Sequence, residues 1–462
     1  MKITLINPYE LGRQPFGLAH PATLLGKAGD SVTCCDLSIQ KLADGLDADT
    51  ELVCIYIAMH TATRIAVEAL PRIQVLAPKA SLCVYGLYAP MNADLFHTLG
   101  VATVIGGEFE HGLLALAEQL RRGEQVLPSD PQTCLDKVSF VVPDRSTLPD
   151  ITKYANLILP DGTTRTVGFA ESTRGCKYLC RHCPVVPVYN GKFFVIPADI
   201  VLQDIRNQVA AGAEHISFGD PDFLNGPGHA LRIVRAMHEE FPELTYDATI
   251  KIEHIVKYPD TIRELADTGC LFILSAVESV NDDTLMLLDK GHSREDFITA
   301  LQHTRAAGMA LTPTFVAFTP WTTLEDYIAL LQDIANLQLV EAVAPVQLSI
   351  RLLVPAGSWI LKVKGADTLF NAFDPALLGH AWQHPDPMMD TLQADVQQWV
   401  MDAEAAGRTR PDIFAGIWKL THALAGRSAP ELDIRNTGEP VPRLSENWYC
   451  CAEPTCEQLV SF

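Results

Sequence analysis

Three cysteines, Cys176, Cys180 and Cys183, stand within the eight-residue run Cys-Lys-Tyr-Leu-Cys-Arg-His-Cys. Thiolates at that spacing can converge on one soft metal centre, and an iron–sulfur cubane held by three of them keeps one iron open for a small molecule. A structural zinc site is the competing chemistry; it needs a fourth ligand at matching spacing, and His182, lodged between two of the cysteines, is poorly placed to serve. A second thiol group closes the chain in Trp448-Tyr-Cys-Cys-Ala-Glu-Pro-Thr-Cys456. Adjacent cysteines rarely chelate one metal comfortably. Cys450, Cys451 and Cys456 therefore read first as active-site thiols (nucleophile, redox pair or hydrogen donor) or as a trap for a thiophilic substrate such as trivalent arsenic, with an auxiliary metal site behind these.

The elements that must position these groups follow from hydrophobic periodicity. Apolar runs at Lys2–Asn7, Ser31–Leu37, Leu52–Ala58, Ser81–Tyr85 and Val101–Ile105 alternate with helical patterns near 18–27, 61–76 and 108–121. This predicts an α/β fold whose first unit, residues 1–124, is a doubly wound Rossmann-like sheet with ligands beyond its carboxyl edge. Residues 125–165 are Pro-, Asp- and Ser-rich and read as a linker. From 166 to 363, strands near 166–170, 215–219, 244–250, 272–277, 310–318 and 346–353 alternate with helices, as in a partial (β/α)6 barrel. Chemistry then gathers on the carboxyl-terminal loops, the first of which carries Cys176. Residues 364–447 read as helical, near 375–382, 388–406 and 412–424, covering the open side of the barrel, and 448–462 form the cysteine tail.

The CxxxCxxC spacing after a strand and a Gly-containing turn resembles the radical S-adenosylmethionine (SAM) superfamily. The resemblance implies a 4Fe–4S cluster on Cys176, Cys180 and Cys183. Its open iron chelates SAM, and one electron splits a sulfur–carbon bond of SAM to give an adenosyl radical. It also implies SAM contacts at strand ends: Asp220, and less so Asp222, against the ammonium; Glu278 on the ribose or methionyl part, with Ser279 as a SAM contact or a helix cap; and Arg351 on the carboxylate. Gly-Leu-Ala-His-Pro after the first strand, Tyr85-Gly-Leu-Tyr-Ala-Pro90, Ile105-Gly-Gly-Glu-Phe-Glu110 and Pro143-Asp-Arg145 resemble the cobalamin-binding architecture of one radical SAM subclass. Cobalamin is thus a candidate cofactor. The Asp-x-His-x-x-Gly element is absent and Leu87 replaces a small glycine, so a scaffolding domain is the alternative. The ending Cys-Cys-Ala-Glu-Pro resembles the CUAEP/CCAEP-tail radical SAM group, some members of which carry selenocysteine where this chain has Cys451.

Composition sets the remaining bounds. A formal charge of −21, from 35 Lys and Arg against 56 Asp and Glu, argues against nucleic acid as a partner. Twelve cysteines and the lack of a long apolar run fit a reducing, cytoplasmic setting without a membrane partner. The expected partners are a small-molecule or peptide substrate and an electron donor such as a flavodoxin or ferredoxin. The expected activity is reductive SAM cleavage with methyl or aminocarboxypropyl transfer. A thiol-rich metal or metalloid binder, or a redox sensor, on a degenerate scaffold is the non-enzymatic alternative.

Overall fold

The computed structural model describes residues 1–433 and 437–446. Its first sheet contains β1 (Lys2–Asn7), β2 (Ser31–Asp36), β3 (Leu52–Tyr56), β4 (Ser81–Tyr85), β5 (Thr103–Gly107) and β6 (Gln132–Cys134). They run parallel in the order β2-β1-β3-β4-β5-β6. The pleat sends alternate residues to opposite faces. Ile6, Val53, Ile55 and Val84 meet helix His60–Leu76 on one side, and Leu5, Leu52, Cys54 and Ile105 meet helices Phe16–Lys27 and Glu110–Arg121 on the other. Cys34, Cys35, Cys54 and Cys83 are buried within these strands, where a thiol packs as a small hydrophobe.

The second sheet is built from β7 (Asn156–Ile158) and β8 (Thr164–Ala170), followed by a small antiparallel pair, β9 (Thr173–Gly175) with β10 (Phe193–Val195). It continues with β11 (His215–Phe218), β12 (Thr245–Thr249), β13 (Cys270–Glu278) and β14 (Ala310–Phe315). Strands β8, β11, β12, β13 and β14 are parallel neighbours, and β7 pairs antiparallel on the β8 side. Helices Ala198–Ala210, Pro227–Glu240, Pro259–Asp267, Arg294–Ala306 and Leu324–Asn336 cover the outside. Two of them open on full capping boxes, Ser293 with Asp296 and Thr323 with Asp326, which satisfy the otherwise orphaned first amides.

Two expectations change. The sixth barrel strand shrinks to a single parallel bridge between Phe318 and Arg351, because Pro345–Leu348 turns as a 3-10 segment and the Gln347 side chain accepts from the Phe315 amide at 3.2 Å in place of a ladder carbonyl. The helix expected near 375–382 is instead an antiparallel pair, β15 (Phe370–Asp374) and β16 (Gly379–Trp382), pinned where His380 N and the Trp382 indole donate to Val354 O and Leu352 O. Helices Pro387–Ala405 and Arg410–Leu424 form as expected and share the barrel's core through Leu392, Val396, Ile413 and Ile417. A last short strand, β17 (Arg443–Leu444), pairs with β7.

The linker is a fastener. Arg145 grips Asp204 with two hydrogen bonds of 2.9 Å, reaches Phe169 O at 2.8 Å and Gln14 O at 3.2 Å, and so ties both sheets together. Among the described residues no helix is long and apolar enough to cross a membrane.

Candidate active site

The Cys176–Cys183 run leaves the carboxyl end of β8 as an excursion bounded by β9 and β10. The left-handed residue Gly175 (φ 74°) starts it; a Cβ there would lie 2.6 Å from both Lys192 O and the Tyr189 ring. Asn225 clamps the entrance, donating from Nδ2 to Gly175 O at 3.2 Å and accepting from Lys177 N at 3.3 Å. Arg181 fastens the exit, its amide donating to Leu288 O at 2.9 Å and its guanidinium to Leu287 O at 2.9 Å. The three thiols are free, and burial pushes those of Cys176 and Cys183 up to about 11 and about 12.

Two lysines face these sulfurs. Lys251 Nζ lies 3.4 Å over the Tyr178 ring and 3.9 Å from Cys180 Sγ. Lys290 is buried beneath the loop. Burial works against its ammonium, but Glu278 and the sulfurs of Cys180 and Cys183 outweigh it and hold its pKa above the ordinary value. Glu278 ends β13 at a bulge, in the left-handed region (φ 70°) that few residues with a Cβ adopt. Its Oε1 meets His182 Nε2 at 2.9 Å and Lys290 Nζ at 3.3 Å. Burial alone would raise this carboxyl, yet Lys290 and then His182 prevail and hold it at about 2.

The other strand-end residues are engaged differently from the expectation. Asp220 points at the turn before the loop, accepting from Ser172 N at 2.9 Å and from the Ser172 and Thr173 hydroxyls at 2.6 Å; burial still lifts its carboxyl to about 6. Asp222 binds His254 Nδ1 at 2.9 Å, and His254 Nε2 meets the Tyr178 hydroxyl at 2.7 Å, so this acid orients the ring beside Cys180. Ser279 accepts from Asn281 N at 3.1 Å and shapes the start of helix Asp282–Leu288. Arg351 is turned toward Asp390 at 2.5 Å and Trp382 O at 2.9 Å, stacked on the Trp382 ring, which places its guanidinium against the C-terminal helices instead of a ligand carboxylate. Cys450, Cys451 and Cys456 lie outside the described residues. Lys251, Lys290, Tyr178 and His254 were not singled out from sequence. The Tyr within the cysteine run was the one local signal, since the lysines arrive from separate loops.

Among the described residues no three His, Cys, Asp or Glu side chains, those of the cysteine loop included, are grouped round a single point. A cubane takes one thiolate per iron, and three thiols on one pinned loop with two ammonium groups to offset their charge suit it. Residues 170–334 match the radical SAM superfamily. The chain carries a radical SAM domain. A structure of the cobalamin-dependent SAM radical enzyme OxsB with aqua-cobalamin superposes with a TM-score of 0.69 at 15% identity, covering 87% of this chain and 67% of that one. The relatives by sequence include bacteriochlorophyllide d C-8(2)-methyltransferase of Chlorobaculum tepidum, 25% identical over 35% of this chain and 37% of the relative. Hopanoid C-3 methylase of Methylococcus capsulatus is 22% identical over 70% of this chain and 65% of its own length. The chain thus spans little more than a third of the first relative and under two thirds of the second.

Proposed function

We propose that this chain is a radical SAM enzyme that cleaves SAM reductively and transfers a carbon group from it, methyl or aminocarboxypropyl, to a small molecule or peptide. The observation that carries the reading is the pinned Cys176–Cys180–Cys183 loop at the carboxyl edge of the half barrel, faced by Lys251, Lys290 and Glu278. Relatives named as methyltransferases favour group transfer over other radical chemistry. Cys176, Cys180 and Cys183 would hold a 4Fe–4S cluster, which would supply an electron to the sulfonium of SAM.

The chain's own residues prepare that site. Lys251 and Lys290 offset the charge of three thiolates in a buried setting, where unpaired charge is costly. Glu278, kept ionised, presents an acceptor suited to an ammonium or to vicinal hydroxyls. As an ionised acceptor it also fixes a proton on His182 Nε2. Glu446, the last residue described, lines a cavity inside the half barrel together with Arg13, Asp247 and Gln347. We assign Cys450, Cys451 and Cys456 to thiol chemistry on the substrate.

The test is to reconstitute the full chain anaerobically with iron and sulfide, reduce it, add SAM and identify the nucleoside released. Methylthioadenosine would mark aminocarboxypropyl transfer, S-adenosylhomocysteine would mark methyl transfer, and deoxyadenosine would mark adenosyl radical chemistry. Cys180→Ala should abolish release, whereas Cys451→Ala should keep both iron and SAM cleavage. Intact SAM after incubation with reduced wild-type protein would refute the reading.

A further inference from the structure

In open α/β sheets ligands settle beyond the carboxyl ends of the strands. In this chain the part of that edge formed by β3, β4 and β5 is filled by its own side chains, and open space remains beside β1 and β2, between Tyr9, Leu37 and Tyr154. Tyr56, Tyr85 and Phe109 stand at the ends of β3, β4 and β5 and pack against one another with ring centroids 4.9–5.8 Å apart. The Tyr85 hydroxyl donates to Gly17 O at 2.8 Å, which draws the start of helix Phe16–Lys27 down over the rings. The fit is tight enough that a Cβ on Gly17 would fall 2.3 Å from the Tyr56 ring.

A second layer comes from the cysteine loop itself. Leu87 and Met91, beyond β4, and Leu135, beyond β6, pack on Val185, Val188 and Tyr189, the helix that follows Cys183. The Tyr189 hydroxyl donates to Glu108 Oε1 at 3.0 Å. Arg174, two residues before Cys176, donates to Glu110 Oε1 at 2.6 Å, lies 3.5 Å from Glu108 Oε2 and sits over the Phe109 and Phe16 rings. Glu108 and Glu110 are 0% and 1% exposed, covered by protein atoms alone. From the end of β1, Arg13 crosses to the barrel, over the Phe169 ring and 3.4 Å from Ser217 Oγ. A corrin ring with a nucleotide tail needs the space these groups occupy, so the residues present do not fit cobalamin.

We propose that the carboxyl edge of the N-terminal sheet is a seat for the cluster loop in place of a corrinoid site, with Arg174 and Tyr189 as positioning residues. The inference rests on the proposed function only for the identity of the group the loop holds. It places the source of any transferred carbon group in SAM itself, with no cobalt carrier between SAM and substrate.

The experiment uses the full chain produced with hydroxocobalamin in the medium, reconstituted with iron and sulfide, mixed with further hydroxocobalamin and freed of unbound cofactor by gel filtration. Cobalt should stay at background while roughly four irons per chain are retained. Arg174→Gln and Tyr189→Phe should keep their circular dichroism yet alter the electron paramagnetic resonance line shape of the reduced cluster and lose iron, with Arg174→Lys restoring part of both. Cobalt near one per chain would overturn the proposal, and so would variants with wild-type iron content and line shape. Absence of SAM cleavage by the same cobalt-free protein would count against the proposed function alone, with the seat still supported by the cobalt result.

Discussion

Glu278 shows what a single residue does in this site and how far its role was readable. Its place at the end of a barrel strand marked it as a ligand contact. Its partners, His182 from the cysteine loop and Lys290 from beyond the next helix, depend on the tertiary fold and leave no local pattern. Asp220 and Arg351 carried the same positional signal, yet the structure spends them on the Ser172 turn and on Asp390. The cysteines were legible as a candidate ligand set because their spacing is local to one run of eight residues. Removing the Glu278 charge leaves the Lys290 ammonium buried without its counterion, so Glu278→Gln should destabilise the chain by about 3 kcal/mol in chemical denaturation. The pH dependence follows in sign. The folded carboxyl sits at about 2, below its ordinary 4.5, so its ionised form contributes stability above pH 4.5 that is lost as pH falls toward 2. Wild type should therefore lose stability more steeply across that window than Glu278→Gln; parallel curves would remove the ion pair from the account.

At the scale of elements, the loop between β9 and β10 is entered through one left-handed residue. Gly175 is left-handed and pressed on Lys192 O and Tyr189, so Gly175→Ala adds both conformational strain and a clash. The variant should lose about 1–3 kcal/mol of stability and retain less iron after gel filtration, even with all three cysteines intact. Iron content and denaturation midpoint equal to wild type would show that the turn does not set the loop. Strand and helix positions were the most legible part of the chain. Strand β4 falls on its expected limits, and helices Arg294–Ala306 and Leu324–Asn336 lie within one residue of theirs, because long periodic patterns and capping boxes are local. The misread elements were short and lay where tertiary contacts decide. Gln347 replaces a ladder carbonyl, and the Val354 and Leu352 carbonyls capture β16.

Across the whole molecule, two sheets meet through the fastener Arg145 and through the loop that carries the cysteines. The two-unit architecture was legible from alternating strands and helices. The direct packing of one unit's carboxyl edge on the other's cysteine loop was not, since Glu108, Arg174 and Tyr189 are distant in sequence and Glu108 reads there as part of a cobalamin-type motif. That packing holds the three half-buried to buried thiols beside Lys251 and Lys290, the setting on which the proposed cluster rests. The most direct measurement is electron paramagnetic resonance of the reduced, reconstituted full chain with and without SAM, alongside metal analysis. The account predicts roughly four irons per chain and a cluster signal whose g-values shift when SAM is added. A single zinc per chain, or a cluster signal indifferent to SAM, would contradict it.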